Sequence, residues 1–412
     1  MNNQENKILP ILRFPEFNSE YKDVGFSELG KIKIGLTHKP DYIESGIPFL
    51  SSKNISNGYI DFNDINYISR EKFTSMPEST KPKVGDILFT RVGSNLGNPI
   101  IVKEDIEFGI FVSLGFFRVN SKTNNQYVRY WMDSDLFWKQ VEQKVAGGAK
   151  MNLNSTWLKE FRLAIPTQKE EQQKVAKCLS SLDEVITAED EKLDLLKDHK
   201  KGLLQQLFPA EGETQPKFRF TEFKDDGDWE ETILDDVADY TNGKAHEKEI
   251  SETGKYKVVN SKFISTNGEV VKFTDSANLK ASVGDILMVL SDIPNGKAIA
   301  KCFYVDKEDT YTVNQRICKI TPTDIDNKFL FYVQNRNKYF LAFDDGVKQT
   351  NLRKDTVLSF PFLKPKESKE QEKIANCLTL ADDLIKEQAN KIVFLQEHKK
   401  GLLQQLFPNI ND

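Results

Sequence analysis

An eleven-residue segment occurs twice without a single change, and this internal repeat limits the possible folds more than any other feature of the chain. The segment is HKKGLLQQLFP, at residues 199–209 and again at 398–408. Extended upstream, residues 169–209 and 368–408 agree at 21 of 41 positions. A repeat of this kind indicates that one structural plan is used twice.

The residues that precede each repeat are related more loosely. RFPEF at 13–17 recurs as RFTEF at 219–223, and VGDIL at 84–88 recurs at 283–287. Short β-type runs between Gly, Asn and Ser turns predict mixed α/β domains rich in antiparallel strands. We therefore divide the 412 residues into a first domain (1–165), a central helix (166–215), a second domain (216–365) and a C-terminal helix (366–412).

Both similar segments carry apolar residues at heptad spacing, which is typical of a coiled coil. The first seam runs from Val175 to Leu207 and the second from Ile374 to Leu406, each with two polar interruptions at matching positions. Because identical stripes can pair about a twofold axis, we expect antiparallel helices and an internal pseudo-twofold repeat. The alternative is that each helix packs its stripe against its own neighbouring domain.

The last turns of both helices are more apolar than one seam requires. A glycine inside a helix costs about 1 kcal/mol relative to alanine, so its repetition suggests close approach by another helix. Two interpretations stay open, burial by the adjacent domain and docking of a partner subunit. The residues concerned are Gly202, Leu203, Leu204, Leu207, Phe208, Gly401, Leu402, Leu403, Leu406 and Phe407.

Composition and missing motifs exclude several classes of protein. The formal net charge of −5 argues against a nonspecific binder of polyanions, although local charge decides DNA binding. The four cysteines have no Cys-x-x-Cys spacing, which argues against a disulfide scaffold or zinc site. The sequence has neither a phosphate-binding loop nor a catalytic constellation, so we expect no enzyme activity. Without a long apolar run or signal-peptide core, we expect a cytoplasmic protein that has no contact with a membrane.

The doubled order of these elements resembles the specificity subunit of type I restriction–modification enzymes. The resemblance rests on RFPEF/RFTEF, on VGDIL twice, on a proline leading into Glu-Gln at 165–176 and 363–375, and on the repeated GLLQQLFP. It implies two target-recognition domains, each reading half of a split sequence in double-stranded DNA, and helices that set the distance between the halves. It also implies a non-catalytic chain that docks two modification subunits, which carry S-adenosylmethionine, and restriction subunits, which use ATP and magnesium.

Three polar loops on each domain are the candidates for DNA contact, because Lys and Arg hold phosphates whereas Asn, Gln and Arg recognise base edges. They are 51–58, 90–98 and 147–154 in the first domain and 260–268, 290–297 and 345–354 in the second. In the first domain the candidates are Lys53, Asn54, Arg91, Ser94, Asn95, Lys150, Asn152 and Asn154. In the second domain they are Lys262, Asn295, Lys297, Lys348, Gln349, Asn351 and Arg353. Each loop could equally be a solvated turn, since Gly, Asn and Ser form turns.

Two other functions remain open. The first is a coiled-coil scaffold that carries two ligand-binding modules and joins other proteins, an interpretation that the nearly neutral domains favour. The second is a nuclease or methyltransferase with an unrecognised site, against which the missing phosphate-loop, metal and methyl-donor motifs count.

Overall fold

A computed structural model describes residues 8–56, 58–93, 96–145, 152–246, 248–294 and 296–410. The chain divides into two compact units, one formed by 1–191 with 389–412 and the other by 192–388. Each unit therefore contains one of the expected domains together with a part of each long helix. The repeat detected in the sequence is a repeat of these units.

The first unit is built mainly from short strands. Its strands are β1 (Tyr21–Gly25), β2 (Gly30–Ile34), β3 (Ile47–Leu50), β4 (Ile55–Ser56), β5 (Tyr59–Ile60), β6 (Asn66–Ile68), β7 (Ile87–Thr90), β8 (Gly97–Ile101), β9 (Gly109–Ile110), β10 (Leu114–Val119) and β11 (Arg162–Pro166). Its helices are α1 (Phe26–Leu29), α2 (Arg70–Ser75), α3 (Asn125–Asp133), α4 (Asp135–Val145), α5 (Ser155–Glu160) and the first part of α6 (Lys169–Leu207).

The central sheet of the first unit has the order β2-β10-β7-β8 and is antiparallel. A smaller sheet, β6-β3-β9, contains the parallel pair β3–β9, and β1 pairs with β11 at the entrance to α6. The main core lies between the central sheet and α3, where the rings of Phe26 and Phe117 stack 4.1 Å apart beside Trp131. The expected mixed α/β domain is confirmed.

The second unit repeats this plan. Its strands are β12 (Glu230–Ile233), β13 (Ala238–Asn242), β14 (Tyr256–Val259), β15 (Phe273–Thr274), β16 (Lys280–Ala281), β17 (Ile286–Val289), β18 (Ser291–Asp292), β19 (Cys302–Tyr304), β20 (Tyr311–Val313), β21 (Ile317–Pro322), β22 (Thr350–Asn351) and β23 (Pro361–Lys364). Its helices are α7 (Leu234–Val237), α8 (Ser261–Ser265), α9 (Asn327–Gln334), α10 (Lys338–Leu341), α11 (Lys354–Leu358) and the first part of α12 (Ser368–Leu406).

The central sheet of the second unit matches that of the first in order and direction, whereas its smaller sheet, β15-β14-β20-β16, has one strand more than β6-β3-β9. The central sheet is β13-β21-β17-β19, the smaller sheet contains the parallel pair β14–β20, and β12 pairs with β23 at the entrance to α12. The two units therefore share one topology although the sequences between the anchor motifs diverge. The internal repeat is thus a repeat of fold.

A helical stretch follows the strands of each domain, and in both domains it is divided into two helices. The apolar pattern of 127–145 indicates helical structure, and the structure has α3 and α4 there, separated at Ser134, which has extended φ/ψ angles. The corresponding stretch of the second domain, 329–343, contains α9 and α10, and Asn337 caps α10.

In each unit the two long helices run antiparallel, as the seam predicts. In the first unit, Lys399 of α12 contacts Asp183 of α6 at 2.6 Å, and Lys391 contacts Glu189 at 2.6 Å, so the numbering rises on one helix as it falls on the other. In the second unit, Lys200 contacts Asp382 at 2.5 Å. The predicted pairing of the helices is confirmed within each unit.

The lysine in each seam is explained by a contact that involves both helices and the domain. In the second unit, the Asp382 carboxylate that binds Lys200 also accepts a hydrogen bond of 2.8 Å from the Tyr332 hydroxyl on α9. In the first unit, the Tyr130 hydroxyl on α3 donates to Asp183 at 2.7 Å, while Lys399 binds the same carboxylate. We call each set of three residues a lysine–aspartate–tyrosine lock. A polar seam residue with a unique partner fixes the register of the helices.

A second repeated contact joins the start of each domain to its long helix. The guanidinium of Arg13, in RFPEF, forms a bidentate pair with Glu171, at 2.7 and 2.9 Å, and that of Arg219, in RFTEF, forms the same pair with Glu370, at 2.8 Å for both bonds. The glutamates are 1% exposed. A bidentate arginine–carboxylate pair fixes both distance and orientation. The motifs that revealed the repeat are therefore structural anchors.

We predict that Lys200→Ala destabilises the second unit by about 1–3 kcal/mol, because the Asp382 carboxylate then loses its charged partner at a partly buried position. Lys197→Ala is the matched control, since Lys197 on the same helix pairs only with the exposed Asp194. That change should cost less than about 0.5 kcal/mol. Urea unfolding of both variants checks this, and equal losses would contradict a special role for the lock.

Acid should weaken the first anchor. Burial raises the pKa of Glu171, but hydrogen bonds from Arg13, Ser19 and Tyr21 outweigh it and hold this pKa below its usual value. The stabilisation is therefore present above the ordinary glutamate pKa of about 4.3 and is lost as the pH falls through the lowered value. We expect the difference in unfolding free energy between wild type and Glu171→Gln to be constant from about pH 5 to 8 and to shrink below about pH 4. Unfolding titrations check this, with Glu170→Gln, an exposed neighbour, as the control.

Candidate nucleic-acid interface

Two of the three predicted loops in each domain are joined by one backbone hydrogen bond. In the first unit, Leu153 N donates to Arg91 O at 2.9 Å, which connects the loop after β7 to the segment before α5. In the second unit, Leu352 N donates to Leu290 O at 2.8 Å, and β18 pairs with β22 beside it. The same bond at equivalent positions places these loops at the end of each central sheet where β7 and β17 stop. We call this end of the sheet the candidate edge.

The third predicted loop reaches this edge through a segment that the sequence did not single out. In the first unit this segment contains Ser113. Its carbonyl accepts a hydrogen bond of 2.8 Å from Arg91 N, and its hydroxyl accepts one of 3.0 Å from Ser52 N. In the second unit, 314–316 has this position, with Leu290 N donating to Arg316 O and Asn314 N donating to Val259 O, both at 3.0 Å. These turns before β10 and β21 carry no distinctive motif, and only the strand pairing places them beside the loops.

Arg91 is a structural residue, contrary to the expectation that it contacts DNA. Its side chain is 7% exposed, and its guanidinium donates to Leu153 O at 3.0 Å and to Val112 O at 2.9 Å. It therefore holds two chain segments together from inside the edge. The loop pattern around it could not reveal this, because burial depends on residues about 20 and 60 positions away in sequence.

Asn54 is likewise not free to contact a base. It is 2% exposed, its amide donates to Asp64 O at 2.8 Å, and its oxygen accepts from Ser51 N at 2.9 Å. Lys53 beside it is exposed, but its ammonium pairs with Asp64 at 2.8 Å. Asn154 accepts from Thr156 N at 2.8 Å and caps α5, whereas Asn152 remains partly exposed.

The candidates of the second unit are more exposed. Lys262, Lys297, Lys348 and Arg353 are exposed, and among the residues described none of them forms an ion pair. Gln349 and Asn351 lie two residues apart on or beside β22, where Gln349 donates to Ser291 Oγ at 2.7 Å and to Asn351 Oδ1 at 3.3 Å. The structure therefore brings these two amides together at the edge. Ser94, Asn95, Lys150 and Asn295 lie outside the described residues.

The loop after β17 is shaped by one carboxylate. Asp292 accepts from the backbone N–H groups of Ile293, Ala298 and Ile299 at 2.9, 2.6 and 3.1 Å. A Cβ at Gly296 would lie 2.1 Å from a carboxylate oxygen of Asp292, so a larger residue there would displace this carboxylate from its hydrogen bonds. In the facing loop, backbone N–H groups of Lys348 and Val347 bind the Asp345 carboxylate and lower its pKa.

The residues at the helix ends that were candidates for partner binding are mostly buried by the domains. This agrees with the interpretation that the adjacent domain covers them. In the first unit Leu403, Leu406 and Phe407 belong to the main core, and Leu402 packs against it. In the second unit Leu207 belongs to the core, and Leu203, Leu204 and Phe208 pack against it.

The two helix glycines do not have the close neighbour that was expected. A Cβ built at Gly202 or at Gly401 would meet no atom within 4 Å. Both glycines are partly exposed, so among the described residues nothing packs directly against the side of the helix that either glycine leaves open.

The described residues contain no group of three or more His, Cys, Asp or Glu side chains that could hold a metal ion. Among the same residues, no helix combines the length and apolar character that crossing a bilayer requires.

Comparisons with known proteins agree with one another. A family model described as the type I restriction modification DNA specificity domain matches residues 18–198 and 226–393. The type I restriction enzyme MjaVIII specificity subunit of Methanocaldococcus jannaschii is 23% identical over 416 residues, 94% of this chain and 96% of that protein. The putative MjaX specificity subunit of the same organism is 28% identical over 194 residues, 46% of this chain and only 44% of that protein.

Solved structures show the same fold. The S subunit of a type I restriction–modification system from M. genitalium is 16% identical, with a TM-score of 0.58 over 98% of this chain and 100% of that one. A chain from work on complex assembly and conformational transition of the type I R-M system is 15% identical, with a TM-score of 0.59 over 95% and 99% of the two chains. At these identities the likeness concerns the fold alone.

We predict that Arg91→Ala acts on stability and not on DNA contact directly. Removing the guanidinium leaves two backbone carbonyls without their donor, which should lower the free energy of unfolding by about 1–3 kcal/mol. Arg316→Ala, at an exposed position on the equivalent edge of the second unit, is the control and should change it by less than about 0.5 kcal/mol. Thermal unfolding measures both. An Arg91→Ala protein as stable as wild type would show that the buried bonds are dispensable.

Proposed function

The chain belongs to the type I restriction–modification DNA specificity family, and on that premise we propose that it is the sequence-specific DNA-binding subunit of such a complex. Each unit reads one half of a bipartite target. The observation that carries this proposal is the pair of three-loop edges, which are built by equivalent backbone bonds on matching sheets but carry different side chains. One framework with two sets of polar groups is what recognition of two different half-sites requires.

The side chains that remain available divide the work at each edge. In the second unit the exposed Lys262, Lys297, Lys348 and Arg353 contact backbone phosphates, whereas the adjacent Gln349 and Asn351 contact base edges. An Asn or Gln amide can both donate to and accept from adenine in the major groove. In the first unit Asn152 is partly exposed, but its amide oxygen is buried and would have to turn outward to meet a base, and Lys53 would have to leave Asp64 to reach a phosphate.

The chain acts as a recognition subunit without catalysis of its own. Two modification subunits dock on it, one at the helix end beside Gly202 and the other at the end beside Gly401, where the glycine surfaces are open. They supply S-adenosylmethionine and the methyl-transfer site, and restriction subunits add ATP- and magnesium-dependent activity. Isolated duplex binding is weak because the net charge is −5, so the modification subunits complete the positive surface around DNA.

Methylation mapping tests the assignment of bases to the second unit. In cells that carry this chain with its modification subunits, Gln349→Ala with Asn351→Ala should relax one half of the methylated motif and leave the other half unchanged. Lys53→Ala in the first unit should not alter that half. A motif unchanged in both halves would contradict the base-reading role, and the absence of any methylated motif or duplex binding with the wild-type chain would favour the scaffold alternative.

Insertion of one heptad after Ala188 and one after Glu387 should lengthen the unread spacer of the target and preserve both half-sites. Seven residues add about 10 Å of helix, equivalent to about three base pairs of B-DNA. Matched insertions keep the heptad phase on both helices, whereas a single insertion in α6 alone breaks it and serves as the control. The methylated motif reports the result. Altered half-sites with a constant spacer would contradict the use of the helices as a ruler.

A further inference from the structure

Two cations of the second unit lie outside the predicted loops, and each is held only by neutral groups. Lys301, just before β19, donates from Nζ to Asn267 Oδ1 at 2.7 Å and to Ser265 O at 3.2 Å. Arg336, after α9, donates from Nη1 to Ile299 O at 3.1 Å and from its backbone to Ala300 O at 2.9 Å. Both side chains are partly exposed.

The hydrogen bonds of Arg336 to the carbonyls of Ile299 and Ala300 place it against the residues that directly precede Lys301 in the chain. Burial, and then the positive charge of Arg336, lower the pKa of Lys301. Among the residues described, neither side chain forms an ion pair with a carboxylate. Other shielded cations of this unit do form such pairs, as Lys319 with Asp285 and Arg219 with Glu370 show. Like charges without a counter-ion raise the free energy of the unit, and a bound anion relieves that cost.

The backbone of Arg336 adds an independent observation. Its φ angle is +57°, in the left-handed region, which glycine and asparagine adopt with less strain than other residues. A bulky side chain at such an angle strains the backbone, and strain of this kind is found more often at functional positions. A smaller residue would suit the backbone better at this position.

The pair lies beside two of the three loops at the candidate edge. The groups that bind Lys301 lie at the end of α8, in the 260–268 loop. Arg336 binds the carbonyl of Ile299, and the N–H of Ile299 in turn donates to Asp292 in the 290–297 loop. Any DNA that contacts these loops passes near both cations. Arginine offers a planar fork and lysine a point charge, a combination suited to a phosphate group.

We propose that Lys301 and Arg336 together bind one backbone phosphate of DNA beside the half-site that the second unit reads. This rests on the DNA-binding function proposed above. The contact positions the duplex without reading its sequence. Among its described residues, the first unit has no equivalent of this contact. The bond from Gly85 N to Val102 O corresponds to the bond from Gly284 N to Val305 O in the second unit. With the strands aligned on these bonds, the first unit has Asn98 where the second has Lys301.

The test uses the full chain assembled with its modification subunits and two duplexes, one with the methylated motif and one without it. Lys301→Gln with Arg336→Asn removes both charges, and asparagine suits the left-handed backbone. Binding to both duplexes should weaken by about tenfold, as for loss of charged hydrogen bonds. The slope of log K against log salt should become less steep by about 0.9, the value for one phosphate. The methylated motif should not change.

The matched control is Lys255→Gln with Lys366→Gln, which removes the same charge from the same unit. Both of these lysines face carboxylates, Asp309 at 2.8 Å and Glu230 at 3.6 Å. Affinity and salt slope should stay at wild-type values. Lys301→Arg with Arg336→Lys, which preserves both charges, should retain most of the binding and excludes a folding defect as the cause of the loss.

Four outcomes overturn the inference while wild type still binds its target. The first is a test variant that matches the control, and the second is a loss confined to one duplex. The third is an altered half-site in the methylated motif, which would mean base contact. The fourth is a charge-preserving variant that loses binding as fully as the neutral one. Failure of wild type to bind either duplex would instead overturn the proposed function itself.

Discussion

The bidentate pair between an arginine at the start of each domain and a buried glutamate in the first turn of a long helix is the contact on which the rest of the structure depends. Arg13 with Glu171 and Arg219 with Glu370 use both carboxylate oxygens, so the helix is fixed in direction as well as in position. The residue after each glutamate adds a second link. The amide of Gln172 accepts from the backbone N–H at the start of α3 and donates to the carbonyl of the proline before α6. Gln371 makes the same two bonds with the start of α9 and the proline before α12. The candidate edge of each domain is thereby held in a fixed orientation relative to the long helix of the same unit.

Much of this architecture could be predicted from the sequence, because the information lies in local periodicity and in repetition. Heptad spacing and matching interruptions predicted antiparallel helices, and Lys399 with Asp183 and Lys200 with Asp382 confirm this within each unit. The breaks after α3 and α9 were not predicted, since an apolar stripe continues across a bend when the next helix packs on the same sheet. Gly202 and Gly401 were misread for a related reason, because a glycine in a helix has the same sequence signature whether its side is covered or open.

The sequence could indicate which loops lie together at the candidate edge, but not which of their residues are exposed there. Turn-forming Asn and Ser marked segments that the structure brings to one edge, but Arg91 and Asn54 are buried by neighbours distant in sequence, and no local pattern encodes that burial. The segment 314–316 was overlooked because only strand pairing brings it to the edge. Among the candidate residues that the structure describes, those of the second domain include more exposed cations and paired amides than those of the first. The described parts of the two edges therefore differ in charge, although they share one framework.

The lysine–aspartate–tyrosine lock has a consequence for how such a gene can change. Asp183 and Lys200 lie on α6, and Asp382 and Lys399 lie on α12, so each helix carries both the acid and the base that its partner needs. Duplication of one half of the gene would yield two segments that already fit each other, with no compensating mutation. After duplication, a substitution of either aspartate would have to be compensated by a substitution on the opposite helix, at a codon far away in the gene. Selection thus links distant codons in pairs, while the loop codons between them are free to diversify.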